Sequence, residues 1–360
     1  MRVGIVGCGN ISESYLRLAP LFSSFDIIAC ADLNAEQARA RATEYGVAAL
    51  SVDELLGRGD IDIVVNLTVP TAHFEVSRAI LNSGKHVFSE KPFVLSLQEG
   101  QALQSLAQTS GLRIGSAPDT FLGGAHQHAR AVIDSGAAGR VTSGTAHCMS
   151  RGMEHWHPNP DFFFKPGAGP VLDIGPYYVT NLIQLLGPIA RVMAMGNAQQ
   201  TQRTITSEPR AGEVIEVETP TTVHAVLLFE SGAVVTLGTS WDVQHHAHGA
   251  MQLYGERGTL DIPDPNFFGG DLVFQEADLD AATTPHFEHP FSVSNEIDDD
   301  GVPRANYRTA GLADMAASIS AGKPHRCSQE LALHAVDVML SILASCETQQ
   351  AVALSTRCER

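Results

Sequence analysis

The sequence predicts two halves of different class: an α/β half on a parallel sheet, then an α+β half on a large, mostly antiparallel open sheet. Three observations predict this. Short continuous apolar runs alternate with helix-patterned stretches through the first third of the chain, as parallel strands covered on both faces do. Past the middle, extended segments follow one another with turn signals such as Ser231-Gly232 between them. The 360 residues also correspond to about two domains at ~150 residues each. The expected division is 1–120 and 121–360.

Residues 2–6 form a short apolar run that ends in Gly7-Cys8-Gly9-Asn10-Ile11-Ser12, and a helix follows with Tyr15, Leu16 and Leu18 on its apolar side. Residues 26–31 read as a buried strand ending at Asp32. A helix over 34–45, rich in alanine and charge, stops at Gly46. Strands are expected at 47–50 and 61–67, with a small helix at 52–56 between them. A helix at 71–82, a strand at 86–89, a helix at 96–109 and a strand at 112–115 complete the first half.

In the second half, 125–135 reads as a helix and 141–149 as a strand. Glycine, proline and aromatic residues crowd 151–178, a long loop of the kind that often holds functional groups. The pattern predicts one helix over 171–186, with Gly175-Pro176 near its first turn. Extended segments follow at 191–196, 222–229, 233–241, 252–255 and 259–262. Residues 263–305 are weakly patterned and acidic at Asp298-Asp299-Asp300, and read as a long excursion. Helices at 305–319 and 329–346 close the chain.

Composition excludes several classes. With 23 basic and 40 acidic residues the formal net charge is −17, which repels phosphate backbones and anionic lipid. Neither nucleic acid nor membrane is expected as a partner. Six cysteines at 8, 30, 148, 327, 346 and 358 show no paired short spacing, which suits buried thiols in a reducing, cytoplasmic compartment. Residues 1–11 are apolar but broken by Gly4, Gly7 and Gly9, so they do not read as a signal peptide. The histidines at 147, 155 and 157, and at 245, 246 and 248, lack a recognised metal spacing, and no metal is expected. Only four of the basic residues are lysines: Lys85, Lys91, Lys165 and Lys323.

The glycine turn is the first chemical signal. Gly7 permits a tight turn after a strand, and Gly9 lets backbone approach a pyrophosphate at the next helix N-terminus. Ser12 replaces the third glycine of the fingerprint. Asp32 ends the second strand, where an acid accepts hydrogen bonds from ribose hydroxyls and repels a 2′-phosphate. The first half therefore reads as a Rossmann dinucleotide-binding domain, with Gly7, Gly9, Asn10, Ile11 and Asp32 on the cofactor, and NAD favoured over NADP.

Two further motifs accompany this turn: Ser89-Glu90-Lys91-Pro92-Phe93 directly after a strand, and Gly167-Ala168-Gly169 followed by Asp173-Ile174-Gly175-Pro176-Tyr177. Together and in this order they resemble the Gfo/Idh/MocA oxidoreductase family over essentially the whole chain. The Asp-x-x-x-Tyr form is similar to the branch of glucose-fructose oxidoreductase and dimeric dihydrodiol dehydrogenase, whereas many other members of the family have His in place of Tyr177. The resemblance implies a cis bond before Pro92 that aims Lys91 into the site. The family often has an Asn-Arg pair where this chain reads Pro118-Asp119-Thr120-Phe121, a departure from the pattern.

Oxidising a carbinol needs a group to take the hydroxyl proton and a fixed cofactor to receive hydride. Lys91 lies at a strand's C-terminal end, where open α/β sheets meet ligands, and its ammonium suits a developing alkoxide. Tyr177 is the expected proton-transfer residue, with Asp173 one helical turn earlier on the same face. Thr68, Pro70 and His73 follow an apolar strand and are expected to flank the cofactor, although His73 reads equally as a first-turn helix residue facing solvent. Glu90 either contacts its nicotinamide end or anchors the turn. Asp119, Trp156, His157 and Asn159 are expected substrate contacts, an aromatic beside hydrogen-bonding groups suiting a sugar ring.

The expected function is NAD-dependent hydride transfer to or from a carbinol carbon of a sugar, polyol or related cyclic alcohol. Two other readings stay open: an NAD-assisted glycoside hydrolase or lyase acting through transient oxidation, and a non-catalytic NAD- or sugar-binding regulator. The open sheet of the second half is expected to cover itself in a homo-oligomer, a dimer or tetramer.

Overall fold

A computed structural model describes residues 1–279, 282–284, 287–298 and 301–360, so the expectation for Asp299 and Asp300 lies outside the described residues. The chain divides into two compact units, the first made of 1–122 and 307–336, the second of 123–306 and 337–360.

The first unit opens as β1 (Arg2–Val6), α1 (Asn10–Leu18), β2 (Asp26–Ala31), α2 (Ala35–Tyr45), β3 (Ala48–Leu50) and α3 (Val52–Gly57). It continues as β4 (Ile63–Asn66), α4 (His73–Asn82), β5 (His86–Ser89), α5 (Leu97–Ser110) and β6 (Ile114–Ser116). The sheet order is β3-β2-β1-β4-β5-β6, and every pairing is parallel. Val3, Ile5, Cys30, Val64, Val65, Val87 and Phe88 are wholly buried, which is why these strands read as unbroken apolar runs. Capping boxes from Ser51 to Glu54 and from Ser96 to Glu99 start α3 and α5. Strand order reverses about β1, and ligands of such sheets bind outside the strand ends at that reversal.

The second unit opens with α6 (Gly124–Asp134), β7 (Val141–Met149), α7 (Gly169–Asp173), α8 (Gly175–Leu186) and β8 (Ile189–Asn197). Then follow β9 (Gln202–Thr204), β10 (Val214–Glu216), β11 (Thr222–Phe229), β12 (Val234–Ser240), β13 (Met251–Gly255), β14 (Gly258–Ile262) and β15 (Val273–Glu276). The short pair β16 (Glu296–Ile297) and β17 (Pro303–Arg304), the helices α9 (Ala310–Ser320) and α10 (Gln329–Thr348), and β18 (Val352–Ala353) end the chain. The large sheet runs β15-β14-β13-β7-β12-β11-β8-β18, parallel only between β7 and β12. Along β11, Val223, Ala225, Leu227 and Phe229 are buried, while His224, Val226 and Leu228 face outward. Every residue of α8 is buried.

Three expectations change. The helix predicted over 171–186 is two helices, because α7 ends at Asp173 and α8 starts at Gly175, with Tyr177 N–H bonded to the Ile174 carbonyl. Pro176 has no amide hydrogen to offer an α-helical ladder, so the helix restarts there. The segment 263–305 is not wholly irregular, since β15 adds to the large sheet and β16 pairs with β17.

The third change concerns the single crossing near residue 120. The chain returns to the first unit at α9 and the start of α10. A side chain at Gly311 would meet Cys327 Sγ, Asp119 Cβ and the Phe88 ring within 3.0 Å. The Ser116 amide donates to the Cys327 carbonyl, extending the β6 edge. By length and composition α10 is apolar enough to cross a membrane, but Leu333, Val336, Val338, Met339 and Ile342 are buried within the protein.

Candidate active site

The pocket of the first unit grows from the turn after β1. Gly7 has φ +103°, and a Cβ there would lie 2.6 Å from the Leu67 carbonyl carbon and oxygen, so only glycine fits. Its amide donates to the Ala31 carbonyl at 2.9 Å. At Gly9, which caps α1, a Cβ would meet nothing within 4 Å, so the backbone is bare toward open space. Asn10 and Ile11 form the first turn of α1, and buried Ser12 donates its hydroxyl to the Gly9 carbonyl at 2.6 Å. Asp32 follows β2, its Oδ2 accepting the Cys8 amide and its Oδ1 the Asn34 amide, both at 2.7 Å. A cavity of about 730 Å³ opens between these groups, lined by Gly7, Gly9, Asp32, Leu33, Thr68 and Val69 among others.

This cradle fits a dinucleotide. Backbone amides at a helix N-terminus face a space that no side chain fills, and an acid stands at the neighbouring strand end. Pro70 starts the turn that leads into α4.

The Lys91 turn adjoins these elements. The Lys91–Pro92 bond is cis, and half-buried Lys91 follows β5 by two residues. Glu90 accepts the Tyr15 hydroxyl on Oε1 at 3.1 Å and the Lys91 amide on Oε2 at 2.9 Å. Of its two expected roles, these contacts belong to the anchor. His73 does not face solvent: it is buried, with Nδ1 2.7 Å from the Pro92 carbonyl oxygen and Nε2 3.0 Å from that of Thr68. Asp119 also departs from expectation. It is buried, and its Oδ2 accepts the Thr309 and Gly311 amides at 3.0 Å each, capping α9. Burial raises its carboxyl to about 6, against the pull of those amides and Arg308.

In the second unit, Asp173 ends α7 and buried Tyr177 lies in the first turn of α8, so they share no single helix. Trp156 is exposed, and its ring meets the His157 ring edge-on at 5.3 Å. His157 Nδ1 accepts the Asn159 amide at 3.0 Å, which leaves Nε2 as the protonated nitrogen of the neutral ring. Burial lowers the pKa of His157, while the Asp173 carboxylate acts to raise it, an electrostatic link between these two predicted residues. Asn159 Oδ1 accepts from Arg210 at 2.5 Å, and Arg210 also pairs with Asp161.

The aromatic loop has an anchor that sequence reasoning missed. Arg203 on β9 is almost fully buried, over the Phe164 ring. It donates to Glu154 Oε1 at 2.6 Å and to the Trp241 carbonyl at 3.1 Å, and it pairs with Asp242. Asp242 in turn accepts the Thr221 and Thr222 hydroxyls. The one signal was an arginine at the centre of a short segment whose neighbours are polar, and nothing in it names the partners.

Comparison with known proteins bears on both units. Residues 1–117 match the NAD-binding Rossmann fold of the Gfo/Idh/MocA oxidoreductases, and residues 126–261 match a Gfo/Idh/MocA C-terminal domain. An uncharacterized oxidoreductase of Schizosaccharomyces pombe is 31% identical over 51% of this chain and 50% of its own length. The 1,5-anhydro-D-fructose reductase of Ensifer adhaerens is 30% identical over 48% of this chain and 53% of its own length. These matches span about half the length of each relative. The fold of levoglucosan dehydrogenase superposes with a TM-score of 0.84 at 19% identity, covering 99% of both chains. The two matched regions follow one another in the order that the Glu90-Lys91-Pro92 and Asp173-to-Tyr177 motifs suggested, and the chain belongs to the Gfo/Idh/MocA family.

Proposed function

We propose that this chain is an NAD-dependent oxidoreductase acting on a carbinol carbon of a sugar, polyol or related cyclic alcohol. The observation that supports it best is the bare cradle at Gly9 with Asp32 at the adjoining strand end. The similarity to a 1,5-anhydro-D-fructose reductase supports the substrate class. A nicotinamide held there would supply the hydride acceptor or donor for the carbinol carbon. Gly7, Gly9, Asn10 and Ile11 hold the pyrophosphate, and Thr68 and Pro70 the wall beside it. Each Asp32 oxygen accepts one amide and keeps a lone-pair direction for ribose hydroxyls, while its charge repels a 2′-phosphate; this supports NAD over NADP.

Lys91 hydrogen-bonds the substrate oxygen and stabilises it as the proton leaves. Tyr177 is the proton-transfer residue, as phenolate taking the proton in oxidation and as phenol returning it in reduction, with Asp173 ending the helix before it. His157 offers Nε2–H to a hydroxyl, Asn159 its side-chain amide, and Trp156 an apolar face to the ring. The outward face of the large sheet, with Met193, Met195, Val226, Leu228 and Val234 exposed, supports a homo-oligomer. The six free cysteines support a cytoplasmic setting.

The test is to screen sugars, inositols and anhydro-sugars with NAD and NADP, following reduced-cofactor absorbance, beside an NADH titration by tryptophan fluorescence. Substrate-dependent reduction of NAD is expected, with a loss of about 100-fold or more in Lys91→Ala. Asp32→Ala should shift the NAD-to-NADP preference by about tenfold or more, equal to 1.4 kcal/mol. Failure to bind either dinucleotide would overturn the reading. Glycosidic cleavage without net cofactor reduction would replace it with transient oxidation.

A further inference from the structure

His73 opens α4 and is wholly enclosed, yet both its ring nitrogens face carbonyl oxygens. A neutral imidazole has one N–H, so it donates to one carbonyl and turns a lone pair on the other. Protonation would satisfy both. Burial lowers the pKa of the ring and Lys91 adds to that, against the two carbonyls and the Glu90 carboxylate. A lowered pKa favours the neutral ring with its single N–H, and of the two carbonyls the one of Pro92, at 2.7 Å, is the nearer acceptor.

The two carbonyls belong to segments with different work. Thr68 lines the dinucleotide pocket, whereas Pro92 follows the lysine proposed to meet the substrate. Asn66 fixes the first segment: its Oδ1 accepts the Thr68 hydroxyl at 2.6 Å, and its Nδ2 donates to the His73 carbonyl and to Ser77 Oγ at 3.0 Å each. Glu90 grips the second from one side through Tyr15 and the Lys91 amide. Only the His73 ring joins the two segments through a single side chain among these contacts.

We propose that His73 is a positioning residue for Lys91, its Nδ1–H holding the Pro92 carbonyl so that the cis turn presents the lysine at a set distance from the Thr68 wall. This rests on the reading of Lys91 as the substrate-contacting lysine. Asparagine carries its amide nitrogen as many bonds from Cα as Nδ1, and glutamine as many as Nε2. His73→Asn thus keeps a donor for Pro92, His73→Gln moves it toward Thr68, and His73→Phe removes it while filling the space.

Turnover and NADH affinity are measured for all three variants. His73→Asn should keep kcat within about threefold of wild type, while Gln and Phe lower it by about tenfold or more, a lysine misplaced by ~1 Å being enough. The Kd for NADH should stay within about threefold throughout, since the loss falls on the transition state. A readout free of turnover is available because the chain has four lysines. Reductive methylation with ¹³C-formaldehyde labels them and the N-terminus, and Lys91→Arg assigns the Lys91 signal. That signal should coincide in wild type and His73→Asn and be displaced in His73→Gln.

The proposal is overturned if Asn and Gln variants match in both readouts, or if only thermal stability falls. If His73→Phe fails to fold, the Asn–Gln comparison still decides. A wild type that binds NADH but turns over no alcohol would sink the oxidoreductase reading alone, since the Lys91 signal still tests the positioning.

Discussion

Asp119 shows how one residue changes role when its surroundings are known. Its carboxyl is raised from 3.8 to about 6 by burial, so between those values the folded protein holds a proton that the unfolded chain releases. The contribution of Asp119 to stability is thus largest below 3.8 and is lost as pH rises toward 6, by about 3 kcal/mol for a shift of roughly two units. His126 acts with the opposite slope. Burial lowers it from 6.5 to about 4, so its contribution is full above 6.5 and is lost as pH falls toward 4. Urea unfolding of wild type and Asp119→Asn at pH 4.5 and pH 7 separates the two. Asparagine still accepts the Thr309 and Gly311 amides but has no charge to bury, so the difference between variant and wild type should grow in the variant's favour at pH 7. An equal difference at both pH values would refute this. The sequence placed an acid here but not its partners, because Thr309 and Gly311 are 190 and 192 residues away.

At the scale of elements, what is local in sequence was legible. The turn of Gly7 and Gly9, the strand end at Asp32 and the Glu90-Lys91-Pro92 turn each draw their geometry from neighbouring residues. The boundaries of most strands were readable too, since burial on both faces writes itself as an apolar run. The break between α7 and α8 was not, because an apolar periodicity runs through Pro176 and hides it. Nor was the Arg203 anchor, which joins β9 to Glu154 and Asp242 across 49 and 39 residues. Its removal leaves two carboxylates without their cation in a mostly enclosed site. Arg203→Met should therefore cost about 3–5 kcal/mol, the usual penalty for breaking a buried pair from one side. Thermal melts of Arg203→Met and of the triple variant Arg203→Met/Glu154→Gln/Asp242→Asn test this, the triple variant recovering part of the loss. A single variant as stable as wild type would show that the pairs contribute nothing.

For the whole molecule, the outward face of the large sheet makes a prediction of its own. Met193 pairs across strands with Val226, and Leu228 with Val234, so the exposed side chains form one apolar patch. Val226→Asp should reduce the mass found by sedimentation equilibrium from an oligomer to a single chain, with NADH affinity retained. A monomeric wild type at micromolar concentration would exclude the assembly.

The return of 307–336 to the first unit has a consequence for biogenesis. Domains usually fold as they leave the ribosome, N-terminal first. Here the amides that cap onto Asp119 and the helix that covers Phe88 are translated after the whole of 123–306. The first domain to begin is therefore among the last to be finished, and a nascent chain must shelter an incomplete nucleotide fold while the intervening one is made. Stalled chains exposing residues only to 306 should be cut within 1–122 by protease, whereas chains exposing 345 should resist. Equal resistance in both would show that the early segment folds unaided.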